Sequence, residues 1–417
     1  MTVVPSATIR LAEACSAVER PGRGTMIDLE RGYENHLPRK ILCGRGRSHR
    51  IAEEAGRHAW TRLFLASDEG VAAAGLLERV AGPLAAAGAL VGTTTAIPPE
   101  PPLEAVEALA RTILDARADA VVGLGGGSVM DAVKVAALCA ARGGTPRDYV
   151  GVGKAGGRGL PTILVPTTAG TGSEATFVAI LTDEASGTKV GVVDPALLAD
   201  VAVVDPELTD GLPRSVTAAA GMDAIVHAIE AFVASVATPL ARGLALEAAR
   251  HLGRSLERAS DDGTDRGARD GMAVGSHLAG MAFANSSCCA VHALALPLGG
   301  RFPVAHGVIT GCFVGELVRH TGAARAADYA TLATALGWGG LDPHAFADRL
   351  DALAARLGLR TALGRAGVPA DAVTGMARDA VLIRRLMDPN PVPVTEDDAV
   401  RIYRTVLAGA GSAEAAS

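Results

Sequence analysis

Several features that would place the chain in a membrane, on a secretory route or on nucleic acid are missing from its sequence. No unbroken apolar run reaches the roughly 18 residues that a membrane span needs. The first twenty residues mix acidic and basic side chains and contain no apolar segment typical of a signal peptide. The net charge of −6 provides no basic surface for nucleic acid. We therefore expect a soluble globular protein with neither a membrane nor nucleic acid as its partner.

Paired cysteines and lysine are also scarce. None of the six cysteines belongs to a Cys-x-x-Cys pair, and in a chain of this length without a signal peptide they indicate reduced thiols and a cytoplasmic location. The sequence shows no internal repeat of fixed period. Lysine occurs at four positions, of which the second and the fourth lie near the loops discussed below: Lys40, Lys134, Lys154 and Lys189.

The first half of the chain alternates strand-like and helical patterns. Short apolar runs end near residues 44, 68, 93, 125, 166 and 205, and helical patterns lie between most of them. This alternation predicts a mostly parallel sheet with helices on both faces. One of these helices, from about Ala72 to Ala86, is predicted to be interrupted at Gly82-Pro83.

After about residue 210 the strand patterns nearly vanish, and helical patterns continue to about Leu407. A single core stops growing at roughly 250 to 300 residues, so 417 residues indicate two domains. Thr395 is the expected N-cap of a last helix. We predict an extension at 1–37, an α/β dinucleotide-binding domain at 38–209, an all-α domain at 210–409 and a flexible tail at 410–417.

A glycine-rich loop follows one predicted strand and opens a helix. It reads Gly123-Leu-Gly-Gly-Gly-Ser128-Val-Met-Asp131. Backbone amides at the start of a helix bind anions, and glycines let a phosphate approach the backbone closely. A tight turn would explain one or two glycines, but it explains three in a row followed by serine less well. The loop therefore indicates a site for the pyrophosphate of a dinucleotide.

The acidic residue that would bind the cofactor's ribose is not at the usual spacing. In a simple Rossmann unit it lies about 20 residues after the loop, where this chain has a surface-like segment at 147–149. Asp68, at the end of an earlier strand, is the better candidate. A carboxylate there would accept hydrogen bonds from ribose hydroxyls and repel a 2′-phosphate, which favours NAD over NADP. The alternative is an aspartate that only caps the following helix.

A second polar loop, Pro166-Thr-Thr-Ala-Gly-Thr-Gly-Ser-Glu174, also follows a strand directly. It places four hydroxyl groups among glycines at the carboxyl end of a parallel strand. Such a loop suits hydrogen bonds to a dinucleotide or a sugar phosphate, and a merely solvated turn would not need so many hydroxyls.

Asp223 and His227 lie one helical turn apart within an apolar segment. Burying these groups is costly unless they are paired or bind a metal, so an internal ion pair and a metal site both explain them. His292 and His306 lie in later apolar stretches, and a carboxylate with neutral imidazoles is a donor set for Fe²⁺ or Zn²⁺. Five other histidines have polar neighbours and are interpreted as surface residues: His49, His58, His251, His320 and His344.

Four motifs together resemble the iron-containing (group III) alcohol dehydrogenase family. They are Gly-Gly-Gly-Ser-x-x-Asp at 125–131, the loop at 166–174, Gly-x-Asp-Ala-x-x-His-Ala-x-Glu at 221–230, and histidines at 292 and 306. The resemblance covers about residues 38–408. It implies an N-terminal dinucleotide-binding α/β domain and an all-α C-terminal domain, the architecture shared with dehydroquinate synthase, with a divalent metal in the cleft between them.

The resemblance also implies roles for individual residues. The implied cofactors are NAD(H) and a divalent metal, Fe²⁺ with Zn²⁺ as the alternative, and the implied partners are a small carbonyl or alcohol substrate and a second copy of the chain in a homodimer. The implied metal ligands are Asp223, His227, His292 and His306. The implied cofactor-binding residues are Asp68, Gly125, Gly126, Gly127, Ser128, Asp131, Thr167, Thr168, Thr171, Ser173 and Lys189.

One position departs from the family pattern. Many members have a further histidine four residues after the third ligand, thought to help relay the proton, and this chain has Leu296 there. The proton would then travel through ribose hydroxyls, bound water or Asn285, which joins Asp223 and His227 as a catalytic candidate.

The expected reaction is hydride transfer from the nicotinamide to a metal-polarised carbonyl of a small aldehyde or ketone. Two alternatives share the fold: a maleylacetate-reductase-like oxo-acid reductase and a phosphonoaldehyde reductase, in which Arg301 could hold the anionic group. A sugar-phosphate cyclase resembling dehydroquinate synthase is the rival of a different class, and a non-catalytic relative is the third alternative.

Overall fold

Strands in the first half of the chain form two sheets. The computed structural model describes residues 32–185 and 187–415, so residues 1–31 of the predicted extension lie outside it. Residues 34–417 form the compact unit discussed below. Its strands are β1 (Lys40–Cys43), β2 (Leu63–Ala66), β3 (Leu90–Thr94), β4 (Ala120–Gly125), β5 (Gly151–Val152), β6 (Thr162–Pro166), β7 (Val178–Asp183), β8 (Thr188–Val193) and β9 (Val201–Val204).

The larger sheet has six strands in the order β1-β9-β6-β4-β2-β3, and every neighbouring pair is parallel. In β2, Leu63 and Leu65 pack with the helices on one face, while Phe64 and Ala66 pack with those on the other. Both faces are therefore covered, as in other parallel sheets. This confirms the predicted fold class for the first half of the chain.

The second sheet was not predicted. Its order is β5-β8-β7, and β7 runs antiparallel to β8. The burial of β7 alternates along Val178–Asp183, because one face packs on the core and the other does not. Lys189 lies on β8 of this hairpin.

Helices cover both faces of the larger sheet. α1 (Ile51–Arg57), α2 (Glu69–Ala73) and α3 (Leu77–Ala86) come first in the chain, followed by α4 (Leu103–Asp115) and α5 (Gly127–Arg142). Buried residues of α1 and α3 share one core cluster, and those of α4 and α5 share the other.

The predicted helix break at Gly82-Pro83 was wrong. Pro83 lies inside α3, and the chain breaks instead between α2 and α3. Gly75 has φ 69° and its amide donates to Ala72 O, so the left-handed residue that ends a helix is Gly75.

The second half of the chain is helical. Its helices are α6 (Arg214–Val233), α7 (Pro239–Asp261), α8 (Arg266–Ala284), α9 (Ala290–Arg301), α10 (His306–Ala335), α11 (Pro343–Arg356), α12 (Leu359–Gly364), α13 (Ala372–Val381), α14 (Arg384–Met387) and α15 (Glu396–Ala415). By length and composition α6 could cross a membrane, but 89% of that stretch is buried inside the protein. A helix that is apolar all round and buried is a core helix.

The predicted cap of the last helix is present, but the helix is longer than the predicted domain. The Asp398 amide donates to Thr395 Oγ1 at 3.1 Å. α15 continues to Ala415, and Ala410 is buried in the core, so the predicted tail at 410–417 begins inside this helix. The predicted domain boundary at 209/210 falls between β9 and α6 and stays a prediction.

Candidate active site

The two predicted loops and Asp68 lie side by side. β2, β4 and β6 are neighbours in the parallel sheet, so their carboxyl ends meet at one edge. The Thr167 amide donates to Gly125 O at 3.0 Å, which joins the two loops directly. Ligands of open parallel sheets bind at this edge.

The glycines of the first loop are required by packing as well as by the anion site. A Cβ at Gly127 would lie 2.8 Å from Thr171 Cγ2, and one at Gly125 would lie 2.5 Å from Val129 Cγ2. α5 begins at Gly127, and no side chain caps its first turn. The amides at this helix start therefore suit a pyrophosphate.

Asp68 caps α2, which is the alternative that the sequence had left open. Its Oδ1 accepts a hydrogen bond from the Val71 amide at 2.8 Å. Its Oδ2 lies on the side of Gly125, 3.2 Å from where a Cβ of that glycine would be. One carboxylate oxygen thus caps the helix while the other faces the glycine loop, and the role toward ribose stays a prediction.

Asp131 and Ser173 meet in a buried network around Lys134. Ser173 Oγ donates to Asp131 Oδ1 at 2.5 Å, and Lys134 Nζ donates to Ser173 Oγ at 2.6 Å. Lys134 also donates to Thr176 Oγ1 and Val178 O, and burial lowers its pKa although Asp131 opposes that shift. The structure therefore engages Asp131 and Ser173 in fixing the second loop against α5, a role that sequence reasoning missed.

Ser128 and Lys189 are linked through Glu100. The Glu100 amide donates to Ser128 Oγ at 3.1 Å, and Lys189 Nζ lies 2.8 Å from Glu100 Oε2. Lys189 Nζ also donates to Thr182 Oγ1. The hairpin lysine is thus held near the start of α5.

The four predicted metal ligands converge from three helices. α6 carries Asp223 and His227, α9 carries His292, and α10 begins at His306. Asp223 Oδ1 lies 3.7 Å from His292 Nε2 and 3.8 Å from His306 Nε2, and Asp223 Oδ2 lies 3.9 Å from His227 Nδ1. Ligand atoms of Asp223, His292 and His306 all lie within 4.8 Å of one another.

Close helix contact makes this convergence possible. A Cβ at Gly307 would lie 2.1 Å from Ala219 O and 3.2 Å from Asp223 Cβ, so only glycine lets the start of α10 touch α6 here. Thr310, one turn along α10, donates to Asp223 Oδ1 at 2.8 Å.

Two of the four donors, His227 and Asp223, have the protonation states that metal binding requires. Burial lowers the pKa of His227 to about 3, more than Asp223 raises it, so this imidazole is neutral. Burial raises the pKa of Asp223, but the three surrounding imidazoles outweigh it and keep the carboxylate ionised. His227 Nδ1 and His292 Nε2 are buried without a hydrogen-bond partner in the described structure, which fits a divalent ion between them.

Glu230 orients the third ligand. Its Oε2 lies 2.5 Å from His292 Nδ1, and its Oε1 accepts from the Val291 amide at 2.8 Å. Burial lowers the pKa of His292, but Cys288 and Glu230 outweigh it and raise that pKa well above its ordinary value. A carboxylate behind a ligating imidazole fixes its orientation. The signal was present in the sequence, since Glu230 lies on the same face of α6 as Asp223 and His227.

Family models match both halves of the chain. Residues 38–206 match the iron-containing alcohol dehydrogenase model, and residues 217–407 match the C-terminal model of the same family. The chain is 39% identical to the long-chain-alcohol dehydrogenase 1 of Geobacillus thermodenitrificans, over 88% of this chain and 94% of that protein. The chain belongs to the iron-containing alcohol dehydrogenase family.

Two further proteins match the present chain over nearly their whole length. The sulfoacetaldehyde reductase of Bilophila wadsworthia is 31% identical, over 89% of this chain and 98% of that protein. The crystal structure of sulfoacetaldehyde reductase from Bifidobacterium kashiwanohense, in complex with NAD⁺, superposes with a TM-score of 0.82 at 30% identity, covering 90% of this chain and 98% of that one.

Membership confirms the expected family, fold class and reaction class. The chain is a metal-dependent, NAD-linked oxidoreductase of alcohols and carbonyl compounds. The family assignment favours this class over the sugar-phosphate cyclase.

The side-chain amide of Asn285, a predicted catalytic group, is occupied by hydrogen bonds within the protein. Its Nδ2 donates to His36 O and to Met281 O, both at 2.8 Å, and its Oδ1 accepts from the His36 amide. The side chain therefore anchors the segment at His36 to α8. With both ends of the amide occupied, Asn285 is unsuited to pass a proton.

Arg301, the candidate for holding an anionic substrate group, is also occupied by another residue. Its guanidinium forms an ion pair with Asp379, and its side chain is 40% exposed. Leu296 packs partly buried against the helical core, so no titratable group replaces the missing histidine at that position.

The second loop touches the helical half at several points. A Cβ at Gly170 would lie 2.8 Å from Ala220 Cβ, so the loop packs closely on α6. Gly172, with φ 58°, approaches α8 so closely that a Cβ would lie 2.6 Å from Gly280 Cα. His277 Nδ1, also on α8, lies 2.9 Å from Glu174 Oε1, and both side chains are buried. This pair was not predicted from the sequence.

Proposed function

We propose that this dehydrogenase reduces a small aldehyde or ketone with NADH, and catalyses the reverse oxidation, at a metal held by Asp223, His227, His292 and His306. The observation that carries the proposal is the pair of buried, unpartnered imidazole nitrogens facing one carboxylate. The close approach of Gly170 to Ala220 supports the proposal, because it brings the second loop against α6, the helix that carries Asp223 and His227.

The protein's own residues provide position and electrostatics. When bound, the divalent ion supplies Lewis acidity toward the substrate oxygen and the nicotinamide supplies the hydride. Thr310 holds Asp223, and Glu230 holds His292. Phe283 stacks on the His227 ring at a centroid distance of 4.4 Å and excludes water from that side.

The proton route is proposed to use solvent on the open side of the site. Position 296 holds leucine, and both ends of the Asn285 amide are occupied. His306 is the most exposed of the four donors, at 38% of its side chain. We propose that water on this side exchanges the proton of the alcohol oxygen.

The cofactor-binding residues are proposed to have four different roles. Gly125, Gly126, Gly127 and Ser128 would bind the pyrophosphate, and Thr167, Thr168 and Thr171 would contact the nicotinamide half. Asp68 would select NAD over NADP through its Oδ2. Asp131, Ser173 and Lys189 would position the loops and the hairpin around the cofactor.

We also propose a cytoplasmic location and a homodimer. A cytoplasmic enzyme is supported by the absence of any disulfide among the described cysteines. A homodimer is supported by the edge strand β1, whose outer side pairs with no described strand. Light scattering on the purified chain tests the dimer.

The decisive experiment is anaerobic NADH oxidation by the metal-loaded protein against a panel of aldehydes, ketones and oxo acids, with NADPH in parallel. We expect turnover with neutral aldehydes and a preference for NADH. The double variant Asp223→Ala/His227→Ala should lose both metal and activity. Full metal content with full aldehyde reduction in that variant would refute the proposed centre, and an NADPH preference would refute the role of Asp68.

A second candidate substrate class is a small carbonyl compound that carries an anionic group, such as an oxo acid, a phosphonoaldehyde or sulfoacetaldehyde. Arg385 on α14 favours it. Its guanidinium forms no ion pair or hydrogen bond with any residue in the described ranges, and its side chain is exposed. Desolvation lowers its pKa, and the opposing effect comes from Cys288, which lies beside His227 and His292. The chain also resembles two sulfoacetaldehyde reductases.

Arg385→Gln separates the two substrate classes, and Arg384→Gln is its matched control, since Arg384 pairs with Asp388 on the surface. A charged hydrogen bond contributes about 1.5 to 3 kcal/mol, so kcat/KM for the anionic carbonyl should fall at least about 10-fold in Arg385→Gln alone. An equal fall for a neutral aldehyde of the same size would remove the support for the anionic class.

A further inference from the structure

Cys288 lies next to two of the four proposed metal donors. It lies between α8 and α9, and its side chain is 7% exposed. Its Sγ and the ligand atoms of His227 and His292 all lie within 4.8 Å of one another. The donors therefore form two triads, Asp223-His292-His306 and His227-Cys288-His292, which share one imidazole.

Packing alone does not account for Cys288. A buried free cysteine ordinarily behaves as a small apolar side chain. Here its two neighbours are the imidazoles whose Nδ1 (His227) and Nε2 (His292) are buried and unpartnered. The adjacent Cys289 differs, because its thiol lies 3.9 Å from Glu230 O and belongs to neither triad. Of two consecutive cysteines, one thus faces the donor cluster.

We propose that Cys288 is a metal ligand of this chain, and that soft divalent ions such as Zn²⁺ and Co²⁺ bind through its thiolate together with His227 and His292. The proposal rests on the metal centre proposed above and adds a sulfur donor to it. On binding, the S–H bond breaks, the proton passes to solvent and the sulfur electron pair forms the bond to the metal.

The geometry and charge of the cluster suit this role. Ligands of a tetrahedral zinc site lie about 2.0 to 2.3 Å from the ion and hence about 3 to 4 Å from one another, so small side-chain rotations close the triad. Among the donors that would contact the ion directly, Asp223 supplies one negative charge, and a thiolate at Cys288 would supply a second.

A sulfur donor changes which metal the site prefers. Thiolates favour zinc over harder ions, whereas carboxylate and imidazole alone discriminate less. We therefore expect this chain to retain Zn²⁺ more tightly than a variant with the donor set of aspartate and histidine only. The preference of the site for Zn²⁺ over harder ions is thus expected to depend on the residue at position 288.

Cobalt spectroscopy tests the proposal without measuring turnover. The background is Cys43→Ser, because Cys43 is exposed and could bind cobalt by itself. A bound thiolate adds a sulfur-to-cobalt charge-transfer band in the near ultraviolet, while the visible d–d bands report any cobalt centre. We expect both signals in the background protein, d–d bands alone in Cys288→Ser, and both signals in Cys289→Ser, the matched control.

Chelator competition gives a second measurement on the same proteins. Loss of a residue that supports a metal ligand costs about 10- to 100-fold in affinity, and loss of Cys288 should weaken Zn²⁺ binding by at least that factor. Mn²⁺ affinity should change much less. Serine is close to cysteine in size, and a thermal melt of each variant verifies folding.

The other outcomes overturn the proposal in distinguishable ways. Cobalt d–d bands without charge transfer in the background protein would leave the metal centre intact but exclude sulfur. Charge transfer that survives in Cys288→Ser would assign the bond to another cysteine. No cobalt bands in any of the proteins would refute the metal centre itself and the sulfur ligand with it.

Discussion

Two of the buried carboxylate–histidine pairs in the described part of the chain differ in what surrounds them. Asp223 and His227 lie 3.9 Å apart on α6, whereas Glu174 and His277 lie 2.9 Å apart and join a loop to α8. Both pairs contain buried atoms without a partner, His227 Nδ1 in the first and both Glu174 Oε2 and His277 Nε2 in the second. Only the first belongs to a cluster of three or more metal-binding side chains within the described residues.

The difference shows that burial and unsatisfied polar atoms do not by themselves identify a metal site. The number of donors that converge does, because a divalent ion needs three or four ligands. The Glu174 pair instead ties the second loop to the helical half, beside the close contact of Gly172 with Gly280. One pair is thus interpreted as a ligand source and the other as a structural link.

The largest predicted effect comes from removing a histidine of each kind. His292→Ala should lower metal affinity by more than about 100-fold, since loss of a supporting residue alone costs about 10- to 100-fold. His277→Ala should keep its metal. Metal content after gel filtration, measured by mass spectrometry, checks both. Equal metal loss in the two variants would remove the distinction between the donor cluster, to which the first pair belongs, and the Glu174–His277 pair.

The carboxylates behind the two histidines should differ in the same way. Glu230→Gln removes the charge that orients His292, so we expect metal affinity to fall by about 10- to 100-fold. Glu174→Gln is the control and should bind metal as the parent does. Isothermal titration with Zn²⁺ measures both constants. An unchanged constant in Glu230→Gln would mean that other contacts orient His292.

The structural link should appear in stability instead. His277→Leu removes a hydrogen bond to a buried carboxylate, so the free energy of unfolding should fall by about 1.5 to 3 kcal/mol. Urea denaturation of the metal-free protein measures it, and His277→Gln, which retains a donor, should lose less. No change in stability would contradict a structural role for the pair.

The smallest effect is a pH dependence of the metal-free protein. His227 has a pKa of about 3 when folded and near 6.5 when unfolded, so the unfolded chain binds more protons between these values. Its contribution to stability is present above pH 6.5 and falls by up to about 1.4 kcal/mol per pH unit as the pH drops. His227→Gln should lose less stability between pH 7 and pH 5 in urea melts. Parallel curves for both proteins would refute this linkage.

Much of the fold could be predicted because its patterns are local. The parallel sheet follows from alternating strands and helices, and the Thr395 cap follows from one side chain and its neighbours. The β7–β8 hairpin was missed because half-buried strands between loops give a weak signal. The break at Gly75 was misplaced because Pro83 is a stronger sequence signal than a single left-handed glycine.

The candidate site also contains features that local sequence patterns predict and features that they do not. The motifs indicated the four donors and the glycine loop, but partners distant in sequence decide what each side chain does. Asn285 is occupied by His36, and Arg301 by Asp379, contacts that no spacing along the chain indicates. Arg385 and Cys288 gain their interest only from neighbours that folding brings to them.

The uneven exposure of the four donors has a consequence for metal exchange. The side chains of Asp223, His227 and His292 are at most 8% exposed, whereas 38% of the His306 side chain is accessible. A chelator or an incoming ion can therefore reach the centre from the His306 side without unfolding of the chain. The lifetime of the bound ion should accordingly depend on what lies over His306: a substrate or cofactor that covers this side chain should slow the exchange, and the enzyme without them should exchange its metal faster.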